Sequence, residues 1–209
     1  MTKGKFITVE GIEGVGKTTN IDFIRKKIDA AGFGCEVTRE PGGTPMAEEI
    51  RNTLLNNRTE FVCEETELLL MFASRAQHLK QFILPKLSHG DWIVCDRFTD
   101  ATYAYQGYGR GQSLANIALL ENMVQSTFRP DCTILLDAPV EIGLQRAKKR
   151  GELDRFEKEN IAFFSRVRDG YLELAAKNPH RYRIVDATGA IEEVQQQLSL
   201  VIDALIGTP

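Results

Sequence analysis

The chain has 209 residues, of which 43% are hydrophobic and 26% are charged, with a formal net charge of −3. These values are typical of a soluble globular enzyme and argue against a general nucleic-acid-binding protein. We predict a single domain over residues 1–209, because no linker or repeat interrupts the chain. A cytoplasmic location without membrane contact is expected, because no apolar run is long enough for a membrane span or a secretory signal.

The first predicted elements are a strand, a glycine-rich loop and a helix. Residues 11–18, G-I-E-G-V-G-K-T, match the phosphate-binding pattern G-x-x-x-x-G-K-[ST] at every fixed position. An apolar strand over residues 5–10 precedes the loop, and apolar residues at helical spacing follow it over residues 19–31. In such a loop the backbone amides bind phosphates, Lys17 reaches the β- and γ-phosphates, and Thr18 can ligate Mg²⁺. We therefore predict a nucleoside triphosphate as ligand, and not a glycine-rich turn that only starts a helix.

A second strand, residues 35–38, leads into the segment 39–45, R-E-P-G-G-T-P, which cannot be helical. Its charged pair lies where ligand groups are common in open α/β sheets, although a solvated turn is the alternative. Helical spacing resumes at Met46, and a longer helix is predicted over residues 64–84. Arg75 and His78 fall on the apolar face of that helix, so Arg75 requires a polar partner.

A third strand, residues 92–95, ends in Asp96 and Arg97, a carboxylate that can support Mg²⁺ and a guanidinium that can bind a phosphoryl group. We predict a short helix over residues 99–106, a loop over 107–111, and a helix capped by Ser113 that runs to about residue 128. A fourth strand covers residues 132–136, and Pro139 opens the next helix. The four widely spaced cysteines, 35, 63, 95 and 132, are interpreted as reduced, buried thiols without a metal-binding pattern.

A dense basic cluster covers residues 146–155, R-A-K-K-R-G-E-L-D-R. Such a run alone is usually a solvated face, but between two helices of a polyphosphate-binding chain it suits a mobile flap that closes over the triphosphate. A helix over 157–177, a strand over 182–185 and a helix over 191–205 complete the chain. Five strands that alternate with helices predict a parallel sheet covered by helices on both faces.

Five segments together resemble the bacterial thymidylate kinases: residues 11–18, T-R-E-P-G-G-T at 38–44, D-R-F at 96–98, Y-Q-G at 105–107, and R-G-E-L-D-R at 150–155. The resemblance covers nearly the whole chain. It implies the three-layer nucleoside-monophosphate-kinase fold of P-loop proteins, with a mobile lid at about residues 146–158. The implied reaction is ATP + thymidine monophosphate (dTMP) → ADP + thymidine diphosphate, with Mg²⁺, in a homodimer that supplies dTTP for DNA synthesis.

The family's functional roles fall on matching positions of this sequence. The resemblance implies ATP binding by Gly11, Ile12, Glu13, Gly14, Val15, Gly16, Lys17, Thr18, Thr19 and Arg146. It implies dTMP binding by Glu40, Arg51, Phe72, Arg75, Arg97, Thr102, Tyr105 and Gln106. Metal ligation is expected from Thr18 and Asp96, and catalytic roles from Glu13, Lys17, Asp96, Arg97, Arg150 and Arg155. In this scheme Arg75 and Gln106 read the base, and Tyr105 blocks a ribose 2′-hydroxyl.

Two positions depart from the family pattern. A base-stacking Phe often lies four residues before the Arg, but here Met71 holds that place and Phe72 comes three before, so either side chain can cover the base. The phosphate loop also lacks the Arg that some members have, so Arg150 or Arg155 is expected to supply catalytic charge.

Three alternatives remain from the residues alone. The first is a kinase of the same fold for another nucleoside monophosphate or for a nucleoside. A nucleotide-dependent switch would need the guanine-reading segment N-K-x-D, which is absent. A non-catalytic ATP-binding subunit is disfavoured because Lys17, Thr18, Asp96 and Arg97 are all present.

Overall fold

The computed structural model describes residues 4–57, 59–148, 156 and 159–207. Within these residues one parallel sheet has the strand order β2-β3-β1-β4-β5. Its strands are β1 (Phe6–Glu10), β2 (Cys35–Arg39), β3 (Trp92–Asp96), β4 (Cys132–Asp137) and β5 (Tyr182–Asp186). The carboxyl ends of all five strands therefore lie at one edge of the sheet.

The helices connect successive strands. They are α1 (Lys17–Ala30), α2 (Pro45–Leu55), α3 (Glu64–His78), α4 (Leu84–His89), α5 (Thr99–Thr102), α6 (Leu114–Gln125), α7 (Val140–Lys148), α8 (Ile161–Lys177) and α9 (Ile191–Ile206). Two π-helical segments continue helices that precede them: the first, Leu79–Ile83, follows α3, and the second, Tyr103–Gly109, follows α5.

Successive side chains of the central strand β1 pack into two separate hydrophobic cores, one on each face of the sheet. Ile7 and Val9 of β1 pack with α1, α8 and α9, whereas Phe6 packs with Leu79 and Phe98 on the other face. Because successive residues of a strand point to opposite faces, helices cover both sides of the sheet, as predicted.

The position of β1 determines where a ligand can bind. Its neighbours are β3 and β4, and the connections that leave β1 and β3 lead to opposite sides of the sheet. In open α/β sheets the crevice at the carboxyl ends of two such strands is the usual ligand site. Glu10 and Asp96, the last residues of β1 and β3, lie at these carboxyl ends.

Several predicted details were wrong. Residues 64–84 do not form one regular helix, because the first π-helical segment interrupts it and α4 continues to His89. The predicted loop at 107–111 begins as helix, since the second π-helical segment extends to Gly109 despite its glycines. All four cysteines are free thiols, but only Cys95 and Cys132 are buried; Cys35 is half-buried at the start of β2, and Cys63 is exposed because it precedes α3 outside the sheet. No helix among the described residues is long and apolar enough to span a membrane.

Candidate active site

The glycine loop between β1 and α1 is packed against α7. Gly14 has a φ of +75°, and a Cβ there would lie 1.9 Å from the carbonyl oxygen of Gly143 in α7. Any side chain at position 14 would therefore clash with α7 and be strained in its own backbone. This explains the small residue at a position that the phosphate-binding pattern itself leaves variable.

Lys17, the first residue of α1, folds back over the loop. Its Nζ donates to the carbonyl oxygens of Gly11 (3.2 Å) and Ile12 (3.0 Å) and lies 3.9 Å from a carboxylate oxygen of Glu13. Burial lowers the pKa of the ammonium group below its usual 10.5. A phosphate anion near Nζ would favour the charged form, so the loop is suited to bind one.

Thr18 and Asp96, the predicted metal ligands, line one groove between α1 and the end of β3. The Oδ1 atom of Asp96 is buried, and the described residues offer it no hydrogen-bond donor. A buried carboxylate oxygen without a donor fits a bound cation, and hydroxyl and carboxylate oxygens are ligands that Mg²⁺ accepts. The two side chains therefore fit the predicted metal.

Arg97 lies at the centre of a polar cluster directly after β3. One terminal nitrogen donates to the carboxylate of Glu13, and the other donates to the hydroxyl of Tyr171 (3.1 Å). The Tyr105 hydroxyl donates to the same Glu13 oxygen (2.9 Å), and the Arg97 guanidinium stands 4.7 Å from the centre of the Tyr105 ring. Arg97 has a φ of +69°, which is rare for a residue with a side chain. Such strained backbone conformations are found preferentially at functional sites. Glu13 thus joins Arg97 to the phosphate loop.

Glu10 supports this cluster from below. It is fully buried, and its two oxygens accept hydrogen bonds from the backbone amide of Phe98 (2.8 Å) and the hydroxyl of Tyr171 (2.8 Å). Burial, reinforced by the charge of Asp100, raises the pKa of Glu10 to about 8. Neither Glu10 nor Tyr171 was predicted to belong to the site. The carboxylate just before the glycine loop was a usable signal, whereas Tyr171 lies within the apolar face of α8.

An open cavity beside Arg97 has an empty volume of about 560 Å³, including solvent at its mouth. A cavity of this size suits a small-molecule ligand. The predicted dTMP-binding residues that line it are Glu40, Arg51, Arg75, Arg97, Thr102, Tyr105 and Gln106. Glu13 borders the same cavity, so it connects the acceptor side with the phosphate loop.

Two of the three side-chain nitrogens of Arg75 donate hydrogen bonds to other side chains. Its Nε donates to Glu40 (2.7 Å) and its Nη2 donates to the hydroxyl of Thr102 (2.9 Å). Its Nη1 is buried and has no acceptor among the described residues. The predicted need of Arg75 for a partner is thus met by Glu40 and Thr102, while its Nη1 has no acceptor among the described residues in a side chain that lines the cavity.

A thymidylate kinase family model matches residues 9–198. The chain belongs to the thymidylate kinase family. It is 55% identical over 199 residues to a thymidylate kinase of Hahella chejuensis, with 95% of this chain and 96% of that relative covered. A thymidylate kinase of Pseudomonas fluorescens is 53% identical over 203 residues, with 97% of both chains covered. The crystal structure of a thymidylate kinase from Ehrlichia chaffeensis superposes with a TM-score of 0.77 at 33% identity and covers 96% of this chain and 99% of that one.

These matches confirm the predicted family, α/β fold and dTMP kinase activity.

Phe72 was assigned to dTMP binding, with Met71 as the alternative cover for the base, but Phe72 does not line the cavity. It is buried beneath Arg75, with the guanidinium carbon 4.8 Å from its ring centre, whereas Met71 lines the cavity. The helical rotation of α3 explains the difference, because Phe72 faces the small core that contains Leu68 and Ile117. Of the two alternatives, the geometry favours Met71 as the side chain that can contact a base, and the assignment of Phe72 to the base is wrong because Phe72 packs against Arg75.

Gln106 and Arg51 are also partly held by protein groups. The Gln106 amide donates to the buried carboxylate of Glu67 (2.9 Å), and an Arg51 terminal nitrogen donates to the carbonyl oxygen of Pro41 (2.7 Å). Both side chains still line the cavity, so these contacts orient groups that face a ligand. Other lining residues that the prediction did not assign to the site are Pro41, Leu55, Phe98, Ala101 and Phe156.

Arg146, predicted to bind ATP, ties α7 to the turn after β5. It donates to the carbonyl oxygens of Ala187 (2.8 Å) and Thr188 (3.1 Å). In this arrangement the guanidinium shapes the turn. Arg150 and Arg155, and most of the predicted lid at 146–158, lie outside the described residues.

Proposed function

We propose that this chain transfers the γ-phosphoryl group of Mg²⁺-ATP to thymidine monophosphate through the residues described above. One observation carries the assignment of roles. Arg97, joined to the phosphate loop by Glu13, lines the same cavity as Arg75, whose Nη1 is buried without an acceptor. A phosphate-binding group and a base-reading group therefore border one cavity next to the ATP loop.

The base is read by Arg75. A buried guanidinium nitrogen without an acceptor favours a ligand that presents a carbonyl oxygen, because an unmade buried hydrogen bond is costly. Thymine has such carbonyls. Thr102 and Glu40 orient Arg75, and Met71 provides an apolar surface for the ring.

The sugar and the monophosphate occupy the part of the cavity nearer the loop. Arg97 and Arg51 bind the phosphate, since a planar guanidinium can pair two phosphate oxygens at once. Tyr105, held by its hydrogen bond to Glu13, places its ring where it opposes a ribose 2′-hydroxyl. This selects a deoxyribonucleotide.

The donor nucleotide lies on the glycine loop. The loop amides and Lys17 bind the β- and γ-phosphates, and Thr18 and Asp96 hold Mg²⁺. When bound, Mg²⁺ neutralises phosphate charge and orients the phosphate oxygens. Lys17 shields the charge of the transferring group, and Arg97, placed beside Glu13, brings the acceptor phosphate toward the loop. Arg150 or Arg155 of the lid adds charge when the lid closes over both nucleotides.

The working form that we propose is a cytoplasmic homodimer of a single kinase domain. Large apolar side chains are exposed on the adjacent helices α3 and α6: Leu69 is 56%, Leu119 is 69% and Met123 is 83% exposed. A second copy packed on this face would bury them. Sedimentation of the wild type and of Leu119→Lys tests this, with the variant expected to shift toward the monomer. A wild-type monomer would contradict the dimer.

A coupled ADP-release assay over a panel of acceptors tests the assigned substrate. We expect the highest kcat/KM for dTMP, a lower value for dUMP, and low values for dCMP, UMP and AMP. Arg75→Ala should raise KM for dTMP, and Arg129→Ala, at a position outside the cavity, is the control. Higher kcat/KM for UMP or AMP would overturn the assignment.

A further inference from the structure

A buried histidine lies beneath the acceptor cavity and has no part in the roles described so far. His78 is the last residue of α3, and its side chain is 0% exposed. Its ring stacks on Phe82 of the first π-helical segment, with ring centres 5.8 Å apart. It does not line the cavity, so it cannot touch a nucleotide there.

Both ring nitrogens of His78 contact polar side chains. Nδ1 is 3.0 Å from Oε1 of Glu40, and Nε2 is 2.7 Å from the hydroxyl oxygen of Thr38. A carboxylate oxygen accepts hydrogen bonds, so Nδ1 donates to Glu40 and Nε2 can accept from Thr38. The other oxygen of Glu40 accepts from Arg75. These contacts form a continuous relay, Thr38–His78–Glu40–Arg75, from β2 to the cavity.

The turn that follows β2 holds the histidine ring in place. Gly43 has a φ of +89°, and a Cβ there would lie 2.4 Å from Cδ2 and from Nε2 of His78. The neighbouring amide of Gly42 donates to the hydroxyl of Ser74 in α3 (3.0 Å). Because the glycine turn lies against the ring edge at Cδ2 and Nε2 while Phe82 stacks on a ring face, the ring has little freedom to rotate.

We propose that His78 is a positioning residue for base recognition. By occupying Oε1 of Glu40, it leaves Oε2 to hold Nε of Arg75, and this directs Nη1 toward the cavity. Thr38 fixes the ring in turn. The inference rests on the proposed function of Arg75 as the residue that reads the base. It also gives a chemical reason for the segment T-R-E-P-G-G-T: Thr38, Glu40 and Gly43 all contact one histidine.

His78→Phe is the principal test, because it keeps a ring against Phe82 and removes both hydrogen bonds. His89→Phe is the matched control, since His89 is an exposed residue at the end of α4. Thr38→Val and Thr38→Ser form a second pair that removes or keeps the hydroxyl while leaving His78 in place. For each variant, kcat and KM for dTMP and dCMP are measured, together with the thermal unfolding midpoint.

We expect His78→Phe to raise KM for dTMP by roughly tenfold, with kcat within about threefold of wild type, because one charged hydrogen bond is lost beneath Arg75. The preference for dTMP over dCMP, which carries an amino group in place of one carbonyl, should fall by a similar factor. Thr38→Val should show a smaller change in the same direction, and Thr38→Ser and His89→Phe should resemble wild type.

Arg75→Ala separates the two possible failures. If Arg75→Ala loses dTMP affinity while a folded His78→Phe keeps wild-type KM and selectivity, the positioning role is overturned and the proposed function stands. If Arg75→Ala also leaves KM and selectivity unchanged, the base assignment itself fails. If His78→Phe does not fold, the two Thr38 variants decide the question. If Thr38→Val has the same KM and the same selectivity as wild type, the relay from Thr38 to Arg75 is overturned.

Discussion

The most direct test of the acceptor phosphate site is Arg97→Lys, which keeps the positive charge and removes the planar fork. In the structure the two terminal nitrogens of Arg97 bind different partners, Glu13 and the hydroxyl of Tyr171, and the group stands over the ring of Tyr105. A lysine ammonium is a single point of charge on a flexible chain. It cannot bridge these partners and pair two phosphate oxygens at the same time.

The expected loss is the sum of two contributions. The guanidinium donates a charged hydrogen bond to the Tyr171 hydroxyl, which orients the side chain, and a second one to the phosphate, and each contributes about 1.5 to 3 kcal/mol. Together these give about 3 to 6 kcal/mol, which corresponds to a fall of roughly 10²- to 10⁴-fold in kcat/KM for dTMP.

The coupled ADP-release assay, with dTMP varied at saturating Mg²⁺-ATP, measures this ratio. Arg129→Lys is the control, because Arg129 pairs with Glu121 and does not line the cavity. Thermal unfolding of both variants shows whether the fold is kept. If Arg97→Lys retains kcat/KM within about threefold of wild type, the reasoning from the guanidinium fork is refuted, since a point charge would then suffice.

Three further predictions concern the loop, the lid and the buried acid. Lys17→Ala should lower turnover below about 1% of wild type with an unchanged circular dichroism spectrum. Removal of Mg²⁺ should lower the turnover of the wild type to the same extent. Substantial residual turnover of Lys17→Ala would contradict the assignment of the loop to ATP phosphates. At least one of Arg150→Ala and Arg155→Ala should lower kcat by roughly 10²-fold at nearly constant KM for dTMP. If both variants keep kcat within about threefold of wild type, the basic cluster is only a solvated turn. Glu10 has a folded pKa of about 8 against an ordinary 4.5, so its stabilising contribution is complete below pH 4.5 and is lost as pH rises through 8. In urea unfolding, the free energy of unfolding of the wild type should therefore fall between pH 5 and pH 9, relative to that of Glu10→Gln, by about 1 kcal/mol or more. If the free energy of unfolding of the two proteins changes with pH in the same way, the raised pKa is contradicted.

Most of the fold followed from local patterns. The strand of residues 92–95 was predicted because a short apolar run ends in charged residues, and β3 is Trp92–Asp96. Ser113 was predicted to cap a helix, and its hydroxyl accepts from the amide of Asn116. The π-helical segments were not predictable, because their extra residue per turn depends on tertiary contacts and has no pattern of its own. For Gly107 and Gly109, packing overrode a clear breaker signal.

The site was predictable where a residue faces a ligand and less so where it faces another protein group. Arg75 was recognised as a charge on an apolar face, but its ion pair with Glu40 depends on the approach of β2 to α3. Tyr171 is 161 positions from the Glu10 carboxylate that it contacts. Such pairs are set by the order of the strands, and spacing along the chain does not reveal them.

The second π-helical segment makes one wall of the cavity sensitive to a change in chain length. Its wide turn, closed by the hydrogen bond from the Arg110 amide to the carbonyl oxygen of Tyr105 (2.9 Å), places Tyr105 and Gln106 on the cavity together with Thr102. Deleting one residue between Tyr105 and Arg110 would shorten this closure to the i→i+4 hydrogen bond of an ordinary α-helix. The ring that we propose to oppose the ribose would then lose the wide turn that holds it on the cavity. A single-codon deletion here would therefore damage sugar selection before it damaged folding, whereas a change of identity at an outward position would leave both intact.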